Sequence, residues 1–188
     1  MSRIKPWHEI RTEHLLDCRI FEVERSVAES PIDGSAHDYY RVVGRDWVQI
    51  VPLTDAGEVV MVRQFRHGSS SIVLEIPGGF VDQGEDPAAA AMRECLEETG
   101  YRAERVHPIA ELNPNPAIHS QRLYSFYARG VRKTGEIQNT ATEQTEVELV
   151  PLGDIERRLR AGEIDHSLVA GTLWQFVHDH SSGGSAPL

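Results

Sequence analysis

Three glutamates, Glu94, Glu97 and Glu98, lie close together in one short segment of the chain. In a helix, side chains three and four positions apart are neighbours, so these carboxylates would share a surface and repel one another. The repulsion costs about a few tenths of a kcal/mol per pair unless a cation lies among them. Carboxylate oxygens are the ligands that Mg²⁺ prefers. The spacing therefore favours a magnesium site, and a solvated acidic helix face is the alternative.

Local signals predict a helix around these glutamates. Asp86 can cap the first turn, Pro87 suits the first helical position, and Gly100 can adopt the left-handed conformation that ends a helix. At about 100° per residue, one stripe of this helix is mainly apolar and the three carboxylates are predicted on the far side. The stripe consists of Ala88, Ala91, Met92, Cys95 and Thr99.

The helix is part of a longer pattern of fixed spacing, Gly-x5-Glu-x7-Arg-Glu-U-x-Glu-Glu-x-Gly-U, in which U is a bulky apolar residue. The chain matches every glycine and charged position of this pattern, at Gly79, Glu85, Arg93, Glu94, Glu97, Glu98 and Gly100. Cys95 and Tyr101 occupy the two U positions, a mild departure that affects packing rather than chemistry. The pattern is the Nudix box, and over about residues 40–178 the chain resembles the Nudix hydrolase superfamily.

Length and composition limit the class of protein. The 188 residues fit one domain with small extensions, and the formal net charge of −10 argues against binding to a nucleic-acid backbone. The two cysteines cannot form a disulfide framework, which suits a reducing compartment. We see neither a signal segment nor an apolar run long enough for a membrane helix. We therefore expect a cytoplasmic protein with no nucleic-acid or membrane partner.

The remaining elements are predicted from alternation, turn residues and helical periodicity. An N-terminal hairpin is expected from residues 19–29 and 37–43, and a second from 47–53 and 58–65. Further strands are expected at 72–76, 105–112, 123–128 and 147–150, and further helices at 152–159 and 167–178. This order predicts an α/β or α+β fold, and it matches the Nudix fold, a mixed β-sheet between helices.

The predicted organisation has three parts. Residues 1–45 form an N-terminal antiparallel β extension, which packs either on a partner subunit or on its own core. We expect it to be a dimerisation element and the protein to be a homodimer. Residues 46–180 form the Nudix domain, and 181–188 form a disordered tail rich in serine and glycine.

The resemblance implies which residues of the box hold metal. Glu94 and Glu98 are implied as ligands, Glu97 as a ligand or a partner of metal-bound water, and the carbonyl of Gly78 as a further ligand. The metal would be Mg²⁺, with Mn²⁺ as a substitute. Glu85 and Arg93 are implied as a structural ion pair that holds the loop against the helix.

The resemblance also implies a reaction, the hydrolysis of a diphosphate that is linked to another group. A base is needed to take the proton from the attacking water. In relatives that hydrolyse nucleoside diphosphate sugars, a catalytic glutamate lies on a loop well beyond the box helix. Glu143 is the first candidate and Glu146 the second, and a solvated acidic loop is the alternative for each.

Substrate residues are predicted from the flanks of the box. Arg66 matches a Gln-x-Arg pattern in which related ADP-ribose hydrolases place an arginine on substrate phosphate, and a surface arginine is the alternative. Pro116 lies downstream of the box as a proline does in ADP-ribose pyrophosphatases. Phe21, Trp47 and Tyr39 are candidates for stacking on a base, with a core position as the alternative for each.

These features favour ADP-ribose as substrate, with AMP and ribose 5-phosphate as products. The sequence in and around the box also resembles that of bacterial nucleoside diphosphate sugar hydrolases, so GDP-mannose or a broad range of sugar nucleotides is the alternative. A Nudix domain that senses a nucleotide sugar without cleaving it is a more remote alternative. Such a sensor would be expected to have a damaged box, and the box here matches at every charged position.

Overall fold

The structure is a computed structural model that describes residues 4–139 and 141–181. Its Cα positions divide into two compact units. The first contains the chain up to Arg45 together with Asn113–Arg122, and the second contains Asp46–Leu112 and the chain from Leu123 onward.

The first unit is built on an antiparallel sheet of three strands in the order β1, β2, β3. These strands are β1 (His8–Asp17), β2 (Phe21–Glu29) and β3 (Ala36–Gly44). The predicted hairpin corresponds to β2 and β3, whereas β1 was not predicted. All ten residues of β1 are exposed, so its sequence lacks the alternation that a half-buried strand would show.

The segment Asn113–Arg122 is attached to the edge of β3. The backbone N–H of Val42 donates to the Ile118 carbonyl (2.7 Å), and the N–H of Ser120 donates to the Val42 carbonyl (3.1 Å). A loop that follows the box in the sequence is therefore built into the N-terminal unit.

The second unit contains a mixed sheet in which β10 runs parallel to β4 and the other pairs are antiparallel. Its strands are β4 (Trp47–Thr54), β5 (Glu58–Arg66), β6 (Ser71–Glu75), β7 (Gly78–Phe80), β8 (Tyr101–Arg102), β9 (His107–Leu112), β10 (Leu123–Lys133) and β11 (Thr145–Pro151). The predicted strands are present with shifted ends. The segment between β6 and α1 begins as β7, because Gly78–Phe80 pairs with β4.

Three helices of the described residues cover the two faces of this sheet, namely α1 (Pro87–Thr99), α2 (Leu152–Arg160) and α3 (Ser167–Ser181). Alternating side chains of β4 point to opposite faces: Val48 and Ile50 pack with α1, whereas Val51 and Leu53 pack with α2 and α3. The predicted mixed sheet between helices is therefore confirmed. None of these helices is long and apolar enough to cross a membrane.

The ends of α1 follow the sequence signals. The Asp86 carboxylate accepts a hydrogen bond from the Ala89 N–H (3.1 Å), and Pro87 occupies the first turn. Gly100 has a left-handed φ of 74° and ends the helix. At the other end of the chain, Ser181 is the last residue of α3, and the rest of the predicted tail, 182–188, lies outside the described residues.

Candidate active site

Glu98 is the most buried carboxylate of the box. Glu98 is only 7% exposed to solvent, and its carboxylate accepts a hydrogen bond from the Gly78 N–H (3.0 Å). Burial raises the pKa of Glu98 to about 8, despite this hydrogen bond. The prediction that Glu98 shares the exposed face of α1 is wrong. Glu98 lies almost two turns beyond Ala91 and so borders the buried stripe of the helix.

Glu94 lies against the backbone of β7. A β-carbon at Gly79 would collide with the Glu94 carboxylate, so this position accepts only glycine without displacing the acid. Burial raises the pKa of Glu94, although Arg93 opposes the effect with a hydrogen bond and its charge. The fold therefore holds two partly or fully buried carboxylates next to the Gly78–Gly79 backbone.

Arg93 ties the loop before α1 to the helix. Its Nε and Nη2 atoms donate to the two oxygens of Glu85 (2.9 Å each), and Nη2 also donates to the Phe80 carbonyl (3.0 Å). The Nη1 atom donates to Glu94 (2.8 Å) and to Glu97 (3.2 Å). The Glu85–Arg93 pair is thus present, and the same guanidinium also bridges two of the acids implied as metal ligands.

The donor set of this cluster suits a hard divalent cation. All three carboxylates offer oxygen, and burial raises the pKa of two of them, Glu94 and Glu98. Within residues 4–139 and 141–181, no group of three or more His, Cys, Asp or Glu side chains is already arranged to hold a metal ion. Arg93 supplies positive charge between Glu94 and Glu97 in this arrangement.

The loop that carries Glu143 is anchored to the C-terminal end of α1. The Gln138 N–H donates to the Glu97 carbonyl (2.7 Å), and the Thr145 hydroxyl donates to the Glu98 carbonyl (2.9 Å). Glu143 is close enough to raise the pKa of both Glu94 and Glu98 through its charge, although burial is the larger cause for each.

Glu146 has a different environment. It lies in β11 opposite Arg63 and is adjacent to Thr145, so the two side chains point to opposite faces of the sheet. Since Thr145 points toward α1, Glu146 points away from it. Glu143 and Glu146 both line a cavity of about 460 Å³, but only Glu143 is close to the acids of the box.

Arg66, at the end of β5, is held by Glu75 from the neighbouring strand β6. Its Nε atom lies 3.1 and 3.2 Å from the two Glu75 oxygens, and its Nη2 atom lies 2.6 Å from one of them. The Nδ1 atom of His166, just before α3, lies 3.2 Å from the other oxygen. Although burial raises the pKa of Glu75, these two partners lower it to about 2.

Glu75 and His166 were not among the predicted site residues. The sequence does contain a signal for Glu75, because it is a charged residue at the end of the apolar segment Ile72–Ile76. A charge in a buried strand needs a partner, and Arg66 on the paired strand is that partner. His166 carries no comparable signal, because only the tertiary fold brings the start of α3 to β6.

The other predicted substrate residues are distributed over the two units. Trp47 is half-buried in β4 opposite Phe80. In the first unit, Phe21 is half-buried in β2, and Tyr39 is exposed with its ring 5.4 Å from that of Trp7. Pro116 lines a cavity of about 350 Å³ between β3 and the segment attached to it.

Comparison with known proteins gives consistent matches. The family model described as NUDIX domain matches residues 45–170. A "Methanol dehydrogenase activator" of Bacillus methanolicus is 29% identical over 71% of this chain and 71% of its own length. An "ADP-ribose pyrophosphatase" of Mycobacterium tuberculosis is 30% identical over 95% of this chain and 86% of its own length. A solved structure titled "Crystal structure of ADP compounds hydrolase" has a TM-score of 0.85 and 22% identity, covering 98% of this chain and 100% of that one.

Proposed function

This chain belongs to the NUDIX domain family, and we propose that it hydrolyses the pyrophosphate bond of a nucleoside diphosphate sugar, with ADP-ribose as the leading substrate. The observation that carries the proposal is the grouping of Glu94, Glu143 and Arg66 within electrostatic reach of the buried Glu98 of α1. Carboxylates that can hold a cation, a carboxylate that can act as a base, and an arginine that can bind phosphate are the parts this reaction needs.

The carboxylates of Glu94, Glu97 and Glu98, with the Gly78 backbone, are the groups that would hold the metal, which we propose to be Mg²⁺ or, as a substitute, Mn²⁺. Such an ion supplies charge neutralisation of the phosphates and lowers the pKa of water. The Gly78 N–H orients one oxygen of Glu98, and Gly79 leaves the space that Glu94 occupies. Arg93 keeps Glu94 and Glu97 oriented through its Nη1 atom.

Glu143 is proposed as the general base. It accepts a proton from the water whose oxygen attacks one phosphorus, while the bond from that phosphorus to the bridging oxygen breaks. The products from ADP-ribose are AMP and ribose 5-phosphate. Because Gln138 and Thr145 fix both sides of the loop to α1, Glu143 is held near the acids of the box without lying on the helix. Glu146, which points away from α1, is the weaker candidate.

The choice of ADP-ribose is supported by the similarity to one relative. The relative from Mycobacterium tuberculosis carries the name "ADP-ribose pyrophosphatase" and is similar to this chain over nearly its whole length. Pro116, Phe21 and Trp47 remain candidates for contacts to the sugar or base. GDP-mannose and other sugar nucleotides are the alternatives, because the box fixes the reaction and not the group attached to the diphosphate.

A substrate panel tests the proposal. The purified protein is incubated with Mg²⁺ and ADP-ribose, GDP-mannose, ADP-glucose, NADH or a diadenosine polyphosphate, and the products are separated by chromatography. We expect AMP and ribose 5-phosphate from ADP-ribose at the highest kcat/KM. Equal release of nucleoside monophosphates from several sugars would replace ADP-ribose with a broad specificity, and no cleavage of any member would contradict the proposed function.

The first unit is proposed as the dimerisation element of a homodimer. This unit exposes several large apolar side chains, which a second copy of the chain can cover. They are Trp7, Ile10, Leu15, Leu16, Tyr39 and Tyr40. Analytical ultracentrifugation should give about twice the mass of 21.1 kDa for the intact chain. A monomer at micromolar concentration would contradict this proposal without affecting the proposed reaction.

A further inference from the structure

We propose that Glu75, supported by His166, is a positioning residue that fixes the guanidinium of Arg66 for a phosphate group of the substrate. This inference rests on the proposed function, because it assumes a diphosphate substrate that Arg66 binds. It adds two residues outside the box, one from β6 and one from the segment before α3, to the substrate-binding machinery.

The hydrogen bonds of Glu75 leave one edge of the guanidinium available. Glu75 contacts Nε and Nη2 of Arg66, at distances from 2.6 to 3.2 Å. Glu75 does not engage the third nitrogen, Nη1. The guanidinium is planar and rigid, so fixing two of its nitrogens also fixes the direction of the third. The side chain is 44% exposed, which leaves it accessible to a ligand.

Stability alone does not explain why Glu75 is a carboxylate. Its side chain is 3% exposed, at the end of a strand whose neighbours Leu74 and Ile76 are apolar and buried. A buried ion pair is often no more stable than apolar side chains of similar size. What a carboxylate supplies here, and an apolar residue would not, is a fixed orientation for Arg66. The His166 Nδ1 atom lies 3.2 Å from the Glu75 oxygen that Nη2 does not use, without the angle of a hydrogen bond, so the imidazole borders the carboxylate on its other side.

Other acids compete for Arg66. Burial lowers the pKa of Arg66, but Glu75 raises it by hydrogen bonds and charge, and the charges of Glu98 and Glu143 raise it further. The guanidinium is therefore within electrostatic reach of a proposed metal ligand and of the proposed base. Without Glu75, Arg66 would be attracted to these two acids and would occupy the space between them. Glu75 thus keeps Arg66 available for phosphate and leaves Glu98 and Glu143 for their own roles.

The test measures ADP-ribose binding by isothermal titration calorimetry in EDTA, where no hydrolysis occurs, and steady-state kinetics with Mg²⁺. For Glu75→Gln we expect Kd to rise about tenfold or more, as for a lost charge-assisted contact, with KM rising more than kcat falls. His166→Ala should raise Kd by about two- to threefold, and His166→Asn, whose amide can donate from a similar position, should restore it.

A double-mutant cycle separates positioning from a purely structural role. If Glu75 acts through Arg66, then Glu75→Gln should not weaken binding further in an Arg66→Ala background. The same fold-loss in both backgrounds would overturn the inference. If Glu75→Gln alone does not fold, His166→Ala is measured in the same two backgrounds, with the same expectation.

Glu148→Gln is the matched control. Glu148 is a partly buried carboxylate of β11 that lies outside the box. It forms ion pairs with Arg63 of β5 and Arg158 of α2. We expect it to lower the melting temperature and to leave Kd unchanged. If Glu75→Gln binds ADP-ribose with the same Kd as the wild type, the positioning role is refuted and the proposed function is left intact. Wild-type protein that neither binds nor cleaves ADP-ribose would refute both.

Discussion

Replacing Glu98 by glutamine should make the metal-free protein more stable at neutral and alkaline pH. The pKa of Glu98 is raised from its ordinary value of 4.5 to about 8, so the native state retains a proton that the unfolded chain has lost. Stability then falls as the pH rises from about 4.5 to about 8, because the native state binds more protons than the unfolded state. At pH 7 the loss amounts to at most about 3.5 kcal/mol, at about 1.4 kcal/mol per pH unit.

Glutamine removes this cost because it cannot ionise, while its amide oxygen can still accept from the Gly78 N–H. Urea denaturation in EDTA at pH 5, 7 and 8 gives the free energy of unfolding for both proteins. We expect the advantage of Glu98→Gln to grow with pH and to be no more than about 1 kcal/mol at pH 5. Glu97→Gln is the control, because its side chain is 41% exposed and lies by Arg93, and it should show no such growth.

Bound metal should reverse the order of stability of the wild type and Glu98→Gln. An ion that binds only the native wild type stabilises it in proportion to the logarithm of its concentration above Kd. Added Mg²⁺ should therefore raise the stability of the wild type and have little effect on Glu98→Gln. A Glu98→Gln variant that is less stable than the wild type in EDTA at pH 8 would refute the reasoning that burial raises the pKa of Glu98 and thereby lowers the stability of the metal-free protein.

Three other substitutions test separate parts of the site. Glu143→Gln should lower kcat by about 10²- to 10⁴-fold, as expected for loss of a general base, and Glu146→Gln much less; the reverse order in steady-state assays would move the base to Glu146. Gly79→Ala should lower kcat/KM by about tenfold or more by displacing the adjacent carboxylate, whereas Gly68→Ala, which has open space, should not; equal kcat/KM in the two variants would remove the packing constraint. Arg93→Lys should lower the free energy of unfolding by about 2–3 kcal/mol, since the single ammonium group of lysine cannot make the several hydrogen bonds of the guanidinium. An unchanged midpoint of urea denaturation would contradict this expectation.

Much of the second unit was predictable because its signals are local. Asp86, Pro87 and Gly100 mark the ends of α1, and alternating apolar residues mark β4 and β5. Such signals act over a few residues and do not depend on the rest of the fold. The spacing of the box likewise identified the acids of α1 from the sequence alone.

The features that could not be predicted depend on contacts between distant segments. β1 has no buried face, so only its pairing with β2 identifies it as a strand. Helical periodicity assigned Glu98 to the exposed face, whereas packing against Gly78 buries it. The link between Glu75 and His166 arises because the chain returns to β6 only after α2.

The most direct test of the proposed reaction compares ADP-ribose cleavage by the wild type, Glu97→Gln and Glu98→Gln over a range of Mg²⁺ concentrations. We expect the wild type to release AMP and ribose 5-phosphate only when Mg²⁺ is present. Both variants should remain folded and lose turnover by about 10²-fold or more, because an ion held by fewer carboxylates stabilises less of the transition-state charge. Near-normal, Mg²⁺-dependent rates in both variants would contradict the assignment of these carboxylates to the metal.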